Sequence, residues 1–163
     1  LETGGGIRHA SLLLKGCGRF LVHNVDMLSN LDLEWFFSQD DPSSLATLLL
    51  TESDNADRYL LFDEEMLLRG WTNVRTGEVR SPFPDFDPAT CRKYSFCGVH
   101  ILSDRVLRLM EAWPEKFSII DFYLAVCTME EIRGILAKSL RIIDIGTPAS
   151  LTEADRLVIG GTF

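Results

Sequence analysis

Two aspartates close apolar runs in this chain. Asp26 ends FLVHNVD at 20–26, and Asp144 falls near the end of RIIDIG at 141–146. A carboxylate after a strand is most often a turn or helix-cap residue, because its oxygens accept nearby backbone N–H groups. The functional alternative is delivery of the side chain into the crevice at the carboxyl ends of the strands, where open α/β sheets bind ligands. The repetition favours this second reading: if the two strands are parallel neighbours, Asp26 and Asp144 meet at one edge. Two convergent carboxylates without a basic partner repel unless a proton or a cation lies between them. Mg²⁺ suits such a pair, since it takes hard oxygen ligands, commonly one or two carboxylates together with substrate phosphates.

A second feature is Thr3-Gly4-Gly5-Gly6, which leads into IRHASLLL. Glycine backbone without side chains lets a planar base or a phosphate approach main-chain N–H groups. Taken alone, the run reads equally well as a flexible loop. The other reactive side chains form no recognisable set. Cys17, Cys91, Cys97 and Cys127 contain no C-x-x-C pair, so they read as reduced core thiols rather than as a zinc site or a disulfide framework. His9, His23 and His100 lack metal-ligand spacing and are expected in packing or hydrogen-bonding roles.

The elements that would position these residues alternate between helix and strand, which defines an α/β chain. Ile7, Ala10, Leu13 and Leu14 recur at helical spacing, and Phe20–Asn24 follows as a strand. Ser29 or Asn30 is placed to cap a helix with Asp32 and Glu34 in its first turn, where the dipole favours acids. Runs at 59–62, 67–71 and 94–102 read as strands, and 45–51 as a buried strand that pattern alone does not separate from a short helix, with a turn at Thr76-Gly77 and a proline-rich loop over SPFPDFDPAT. Ser103 is placed to cap the next helix, and 119–132 carries helical spacing throughout. After the strand at 141–146, Thr147-Pro148 is a helix start, a hydroxyl cap followed by proline at the first helical position.

The 163 residues fit one domain, expected to run over 1–163, and hold 46% hydrophobic and 25% charged residues, as ordinary globular proteins do. No stretch approaches the roughly 20 apolar residues of a membrane span and no signal-peptide pattern is visible, so a cytoplasmic location is expected. A net charge of −8 without a cluster of Lys and Arg argues against a nucleic-acid partner.

Five segments, in this order, resemble the motifs of the sugar-1-phosphate nucleotidyltransferases: ETGGGI (2–7), FLVHNVDML (20–28), FCGVHIL (96–102), FSIIDFYL (117–124) and IIDIGTPASLTEAD (142–155). The group of N-acetylmuramate-1-phosphate uridylyltransferases and mannose-1-phosphate guanylyltransferases is the most similar. The resemblance implies a Rossmann-like three-layer α/β/α fold with a mixed sheet. It also implies attack of a sugar-1-phosphate oxygen on the α-phosphorus of a nucleoside triphosphate, with release of pyrophosphate. By the same resemblance Asp26 and Asp144 are the catalytic, Mg²⁺-binding aspartates. Thr3, Gly4 and Gly5 match the segment touching base and ribose, Asn24 lies in the substrate-binding motif, and Gly98 matches a strand glycine beside the sugar. The chain begins after the family's G-x-G-T-R-L-x-P motif and its P-K lysine. The expectation is therefore the later part of a catalytic domain, truncated at its N-terminus, inactive alone, and driven to homo-oligomerise by an uncovered sheet edge. The alternative is a non-catalytic nucleotide-sugar-binding or regulatory module.

Overall fold

The computed structural model describes residues 1–53 and 56–160. Its first helix, α1 (Glu2–His9), contains the glycine run instead of following it. Glycine inside a helix costs about 1 kcal/mol relative to alanine, so this helix is held by its surroundings. Those surroundings are close: a Cβ at Gly4 would lie 2.3 Å from the Phe117 ring, and one at Gly5 would lie 2.1 Å from the Glu115 carbonyl oxygen. The chain breaks at Ala10 and resumes as the single turn α2 (Ser11–Leu14), which leaves Leu12 and Leu13 exposed. One continuous amphipathic helix over 7–14 is thus not formed.

Strand β1 (Arg19–His23) follows, then the short β2 (Met27–Ser29) and α3 (Leu33–Ser38). The cap of α3 is Asp32, whose side chain accepts the Trp35 N–H at 3.0 Å, and neither Ser29 nor Asn30 serves there. Strands β3 (Ala46–Thr51), β4 (Arg58–Phe62) and β5 (Leu68–Asn73) match the expected runs, and β6 (Glu78–Arg80) follows the Thr76-Gly77 turn. The 81–90 loop contains only one 3-10 turn, and β7 (Arg92–Ser103) is twelve residues long. Helix α4 (Arg105–Met110) comes next, then α5 (Ile119–Val126) and β8 (Ile132–Leu136). The expected helix over 119–132 therefore stops six residues early, and β8 takes its end. Strand β9 (Ile142–Asp144) and α6 (Pro148–Ile159) complete the chain, the latter opened by Thr147 as expected.

Seven strands form an open mixed sheet in the order β6-β5-β4-β7-β3-β8, with β1 on the second edge of β7. Its one parallel pair is β3 with β8. Alternation along β3 builds both faces, as period-2 strands require. Leu48 and Leu50 join the core beneath α1, α4 and α5, while Leu49 packs with Phe36 of α3 on the other side. This gives three layers. Strand β7 is the spine: β3 runs along one edge, while β4 and β1 share the other, pairing at 92–94 and 99–103. Cys97 and Cys127 are buried free thiols, with burial pushing both up to about 11, whereas Cys17 is exposed, outside the core role expected of it.

Candidate functional site

The expected site residues gather in two adjoining pairs and one separate group. The first pair is Asn24 with Gly98. The β3–β7 register shifts between Leu48 and Leu50, and at this irregularity Gly98 takes φ +70°, a left-handed conformation that favours glycine. Its carbonyl accepts the Asn24 N–H at 3.0 Å, and a Cβ on Gly98 would lie 2.7 Å from Asn24 Nδ2. The space freed by the glycine is therefore held by the Asn24 carboxamide. That carboxamide makes no hydrogen bond of its own among the described residues, and so it retains its full donor and acceptor capacity.

The second pair is Asp26 with Asp144, and it is not assembled by parallel neighbours. Among the described strands β1 pairs only with β7, while β9 forms a separate two-stranded ribbon with β2, antiparallel, in which Met27 faces Asp144. The two aspartates still meet because the turn after β1 leads directly into that ribbon. The Ile145 N–H donates to the Asp26 carbonyl oxygen at 2.7 Å, and the Gly146 N–H donates to Asp144 Oδ1 at 2.8 Å. A Cβ at Gly146 would stand 3.0 Å from Asp144 Oδ1 and 3.8 Å from Asp26 Oδ2. Both carboxylates thus border the open face of one glycine. Both are exposed, and neither forms an ion pair among the described residues.

The turn runs straight into α6. Thr147 Oγ1 accepts the Ser150 N–H at 3.2 Å, and Ser150 Oγ accepts the Thr147 N–H at 3.3 Å, a capping box. These bonds satisfy the first turn internally, so the helix end anchors the 144–147 turn.

The separate group is Thr3, Gly4 and Gly5 on α1, packed on α5 and on the 115–117 segment. Gly4 and Gly5 are buried, and their missing side chains make room for protein rather than leaving bare backbone. Gly5 also lines a cleft of about 890 Å³, which lies between α1–α2 and α4 and is bordered by Arg8, Lys15 and Arg108. None of Asn24, Asp26, Gly98 or Asp144 lines it. The exposed Leu12 of α2 borders that cleft.

Asp26 and Asp144 fit a hard divalent cation: all their side-chain donors are oxygen, and Gly146 leaves a cradle that a Cβ would fill. Among the described residues no three His, Cys, Asp or Glu side chains gather as a cage. A cation here would therefore draw most of its ligands from substrate and water, as Mg²⁺ does. Gly146 is the site residue that the sequence left without a role. The D-I-G spacing was visible, but the approach of Asp26 to it depends on the three-residue strand β2, too short to leave a pattern.

The architecture defines the class of fold: an open, mixed-sheet α/β domain of the Rossmann-like kind found in nucleotidyltransferases. HddC from Yersinia pseudotuberculosis complexed with GMP-PN is similar at a TM-score of 0.64 and 22% identity, over 94% of this chain and 61% of that one. The inositol-1-phosphate CTP transferase from T. maritima matches 99% of this chain and 62% of its own at 0.68 and 13% identity. The UTP-bound UGPase from Acinetobacter baumannii matches 93% and 54% at 0.67 and 14% identity. The chain thus spans 54% to 62% of the length of these proteins. No protein-family model and no curated protein sequence matches it. Among the described residues no helix is long and apolar enough to cross a membrane.

Proposed function

We propose that this chain serves the transfer of a nucleotidyl group from a nucleoside triphosphate to a sugar-1-phosphate, giving a nucleotide-sugar and pyrophosphate. The observation that carries the proposal is the convergence of Asp26 and Asp144 on the open face of Gly146 at the strand ends. The likeness in fold to the nucleotide-bound neighbours supports it. In the reaction a phosphate oxygen of the sugar-1-phosphate bonds to the α-phosphorus, and the bond to the departing pyrophosphate breaks. Asp26 and Asp144 would hold Mg²⁺, which supplies positive charge against the phosphate oxygens as the transition state forms. The chain's own residues orient the site. The Ile145 N–H ties the turn to Asp26, the Gly146 N–H fixes one oxygen of Asp144, and Gly98 seats the Asn24 carboxamide where it can meet a substrate hydroxyl. Thr3, Gly4 and Gly5 belong to the proposed base and ribose side through their main chain.

Turnover is a proposal for the whole protein, because the chain spans only part of each neighbour. The same reading carries a cytoplasmic location, where nucleoside triphosphates are drawn upon, and self-association.

The test is pyrophosphate release by the whole protein from a panel of triphosphates and sugar-1-phosphates in Mg²⁺. Asp26→Asn and Asp144→Asn should each lower kcat/KM by at least about a hundredfold, the scale of losing one electrostatic contact to the reacting group. Native rates in both variants would remove the aspartates from the chemistry. Calorimetric binding of a nucleotide-sugar without any turnover would favour the non-catalytic module instead.

A further inference from the structure

Most of the described glycines answer to conformation or to packing. Gly16, Gly18, Gly77 and Gly98 have positive φ, while Gly4, Gly5, Gly70 and Gly134 would drive a Cβ into neighbouring protein at under 3.0 Å. Gly6 lies in a helix with open space beside it. Gly146 differs from all of these. Its φ lies outside the left-handed region that favours glycine. Among the described residues, the heavy atoms that a Cβ there would meet within 4 Å are Asp144 Oδ1 and Asp26 Oδ2. Neither conformation nor packing against backbone or core therefore asks for glycine at 146. What a side chain would disturb is the gap bordered by two carboxylates.

We propose that Gly146 is a positioning residue that keeps the space between Asp26 and Asp144 open to a small divalent cation. The inference rests on the reading of the two aspartates as a cation site. Gly146 acts in two ways. Its N–H binds Asp144 Oδ1 at 2.8 Å, which turns that carboxylate and leaves Oδ2 as its free oxygen. Its missing side chain keeps clear the volume beside both groups. An alanine methyl at 3.0 Å from Asp144 Oδ1 is tighter than ordinary van der Waals contact, so the carboxylate must turn away and weaken its bond to the N–H. The methyl then also stands where a hydrated ion would approach.

Mn²⁺ is the probe, because its paramagnetism broadens nearby amide signals even when binding is weak. In the native chain, Mn²⁺ titration should broaden the amides of Asp26, Met27, Ile145, Gly146 and Thr147 before those of other acidic surfaces. Gly146→Ala should need about ten times more Mn²⁺ for the same broadening, the scale on which groups that orient metal ligands act. Its remaining spectrum and its melting midpoint should be unchanged. Equal Mn²⁺ sensitivity in the two proteins would overturn the role of Gly146 and leave the cation site standing. No selective broadening in the native chain would overturn the cation site and, with it, this inference. A collapsed spectrum for Gly146→Ala would show that the glycine serves folding and would overturn the inference as well.

Discussion

His100 gives the fold a measurable acid sensitivity. It lies on β7, two residues after Gly98, fully buried, with Nδ1 hydrogen-bonded to the Tyr123 hydroxyl of α5 and the Phe96 ring against its edge. Nε2 has no partner. Burial in this apolar layer lowers the pKa of His100 from 6.5 to about 3. The unfolded chain therefore takes up a proton at a higher pH than the folded chain does. A base whose folded pKa is depressed leaves stability intact above its unfolded value and removes it as pH falls. The slope is one proton, about 1.4 kcal/mol per pH unit below pH 6.5, so about 2 kcal/mol is lost by about pH 5.

That loss is a large fraction of a domain stability of about 5–15 kcal/mol. The comparison is with the double variant His100→Phe/Tyr123→Phe, which replaces both partners with apolar rings and leaves no orphaned hydroxyl. Urea unfolding should show the native chain losing about 2 kcal/mol more than the double variant between about pH 7.5 and about pH 5. Parallel losses in the two proteins would refute the assignment of this proton to His100.

Glycine substitutions separate the roles argued above. Gly98→Ala places a side chain at φ +70° and 2.7 Å from Asn24 Nδ2, and should cost about 2 kcal/mol in chemical denaturation; an unchanged midpoint would refute the seating of Asn24. Gly5→Ala drives a methyl to 2.1 Å from the Glu115 carbonyl and should cost about 2 kcal/mol or more by the same measurement. Gly6→Ala, with nothing within 4 Å, should instead stabilise by about 0.5–1 kcal/mol, and a loss there would contradict the helical assignment of the glycine run. Among the described strands β1 pairs only with β7, so its second edge offers unpaired main-chain groups; sedimentation equilibrium should show concentration-dependent association, and a monomer throughout would refute it.

The sheet was legible wherever a strand was long and apolar. β3 and the second half of β7 lie buried on both faces and read as continuous runs, while Thr147-Pro148 announced α6 by its own cap. What escaped notice had no periodic signature. β2 has only three residues, and β8 follows α5 through apolar spacing that a helix also satisfies; β9 was legible as the run at 141–146, of which Ile142–Asp144 is strand. Only the parallel pairing with β3 decides β8, with Gly134 lying so close to Leu50 and Phe62 that a Cβ would meet Leu50 at 2.4 Å. The two aspartates were found from residue type and position, but the geometry joining them was misjudged, because a ribbon across the strand ends and a parallel pair deliver them to the same place. The role of the α1 glycines depended on the 115–117 segment, more than a hundred residues away.

The manner of that delivery bears on how the acidic pair is tolerated. A two-stranded ribbon is marginal by itself, and this one carries two uncompensated carboxylates at one end. Like charges brought close repel one another, less in water than at a partly shielded protein surface. Opposing this, Leu31 and Ile142 pack onto the core beside Phe36, and the ribbon is tied at both ends. At one end the Arg141 N–H meets Asn30 Oδ1 at 2.8 Å; at the other the Ile145 N–H meets the Asp26 carbonyl at 2.7 Å. The ties act on main chain and leave the carboxylates exposed, where water screens them and a cation can reach them. The acidic pair is thus brought together by bonds that engage a single carboxylate oxygen, Asp144 Oδ1 through the Gly146 N–H, and leave both side chains exposed to water and to a ligand.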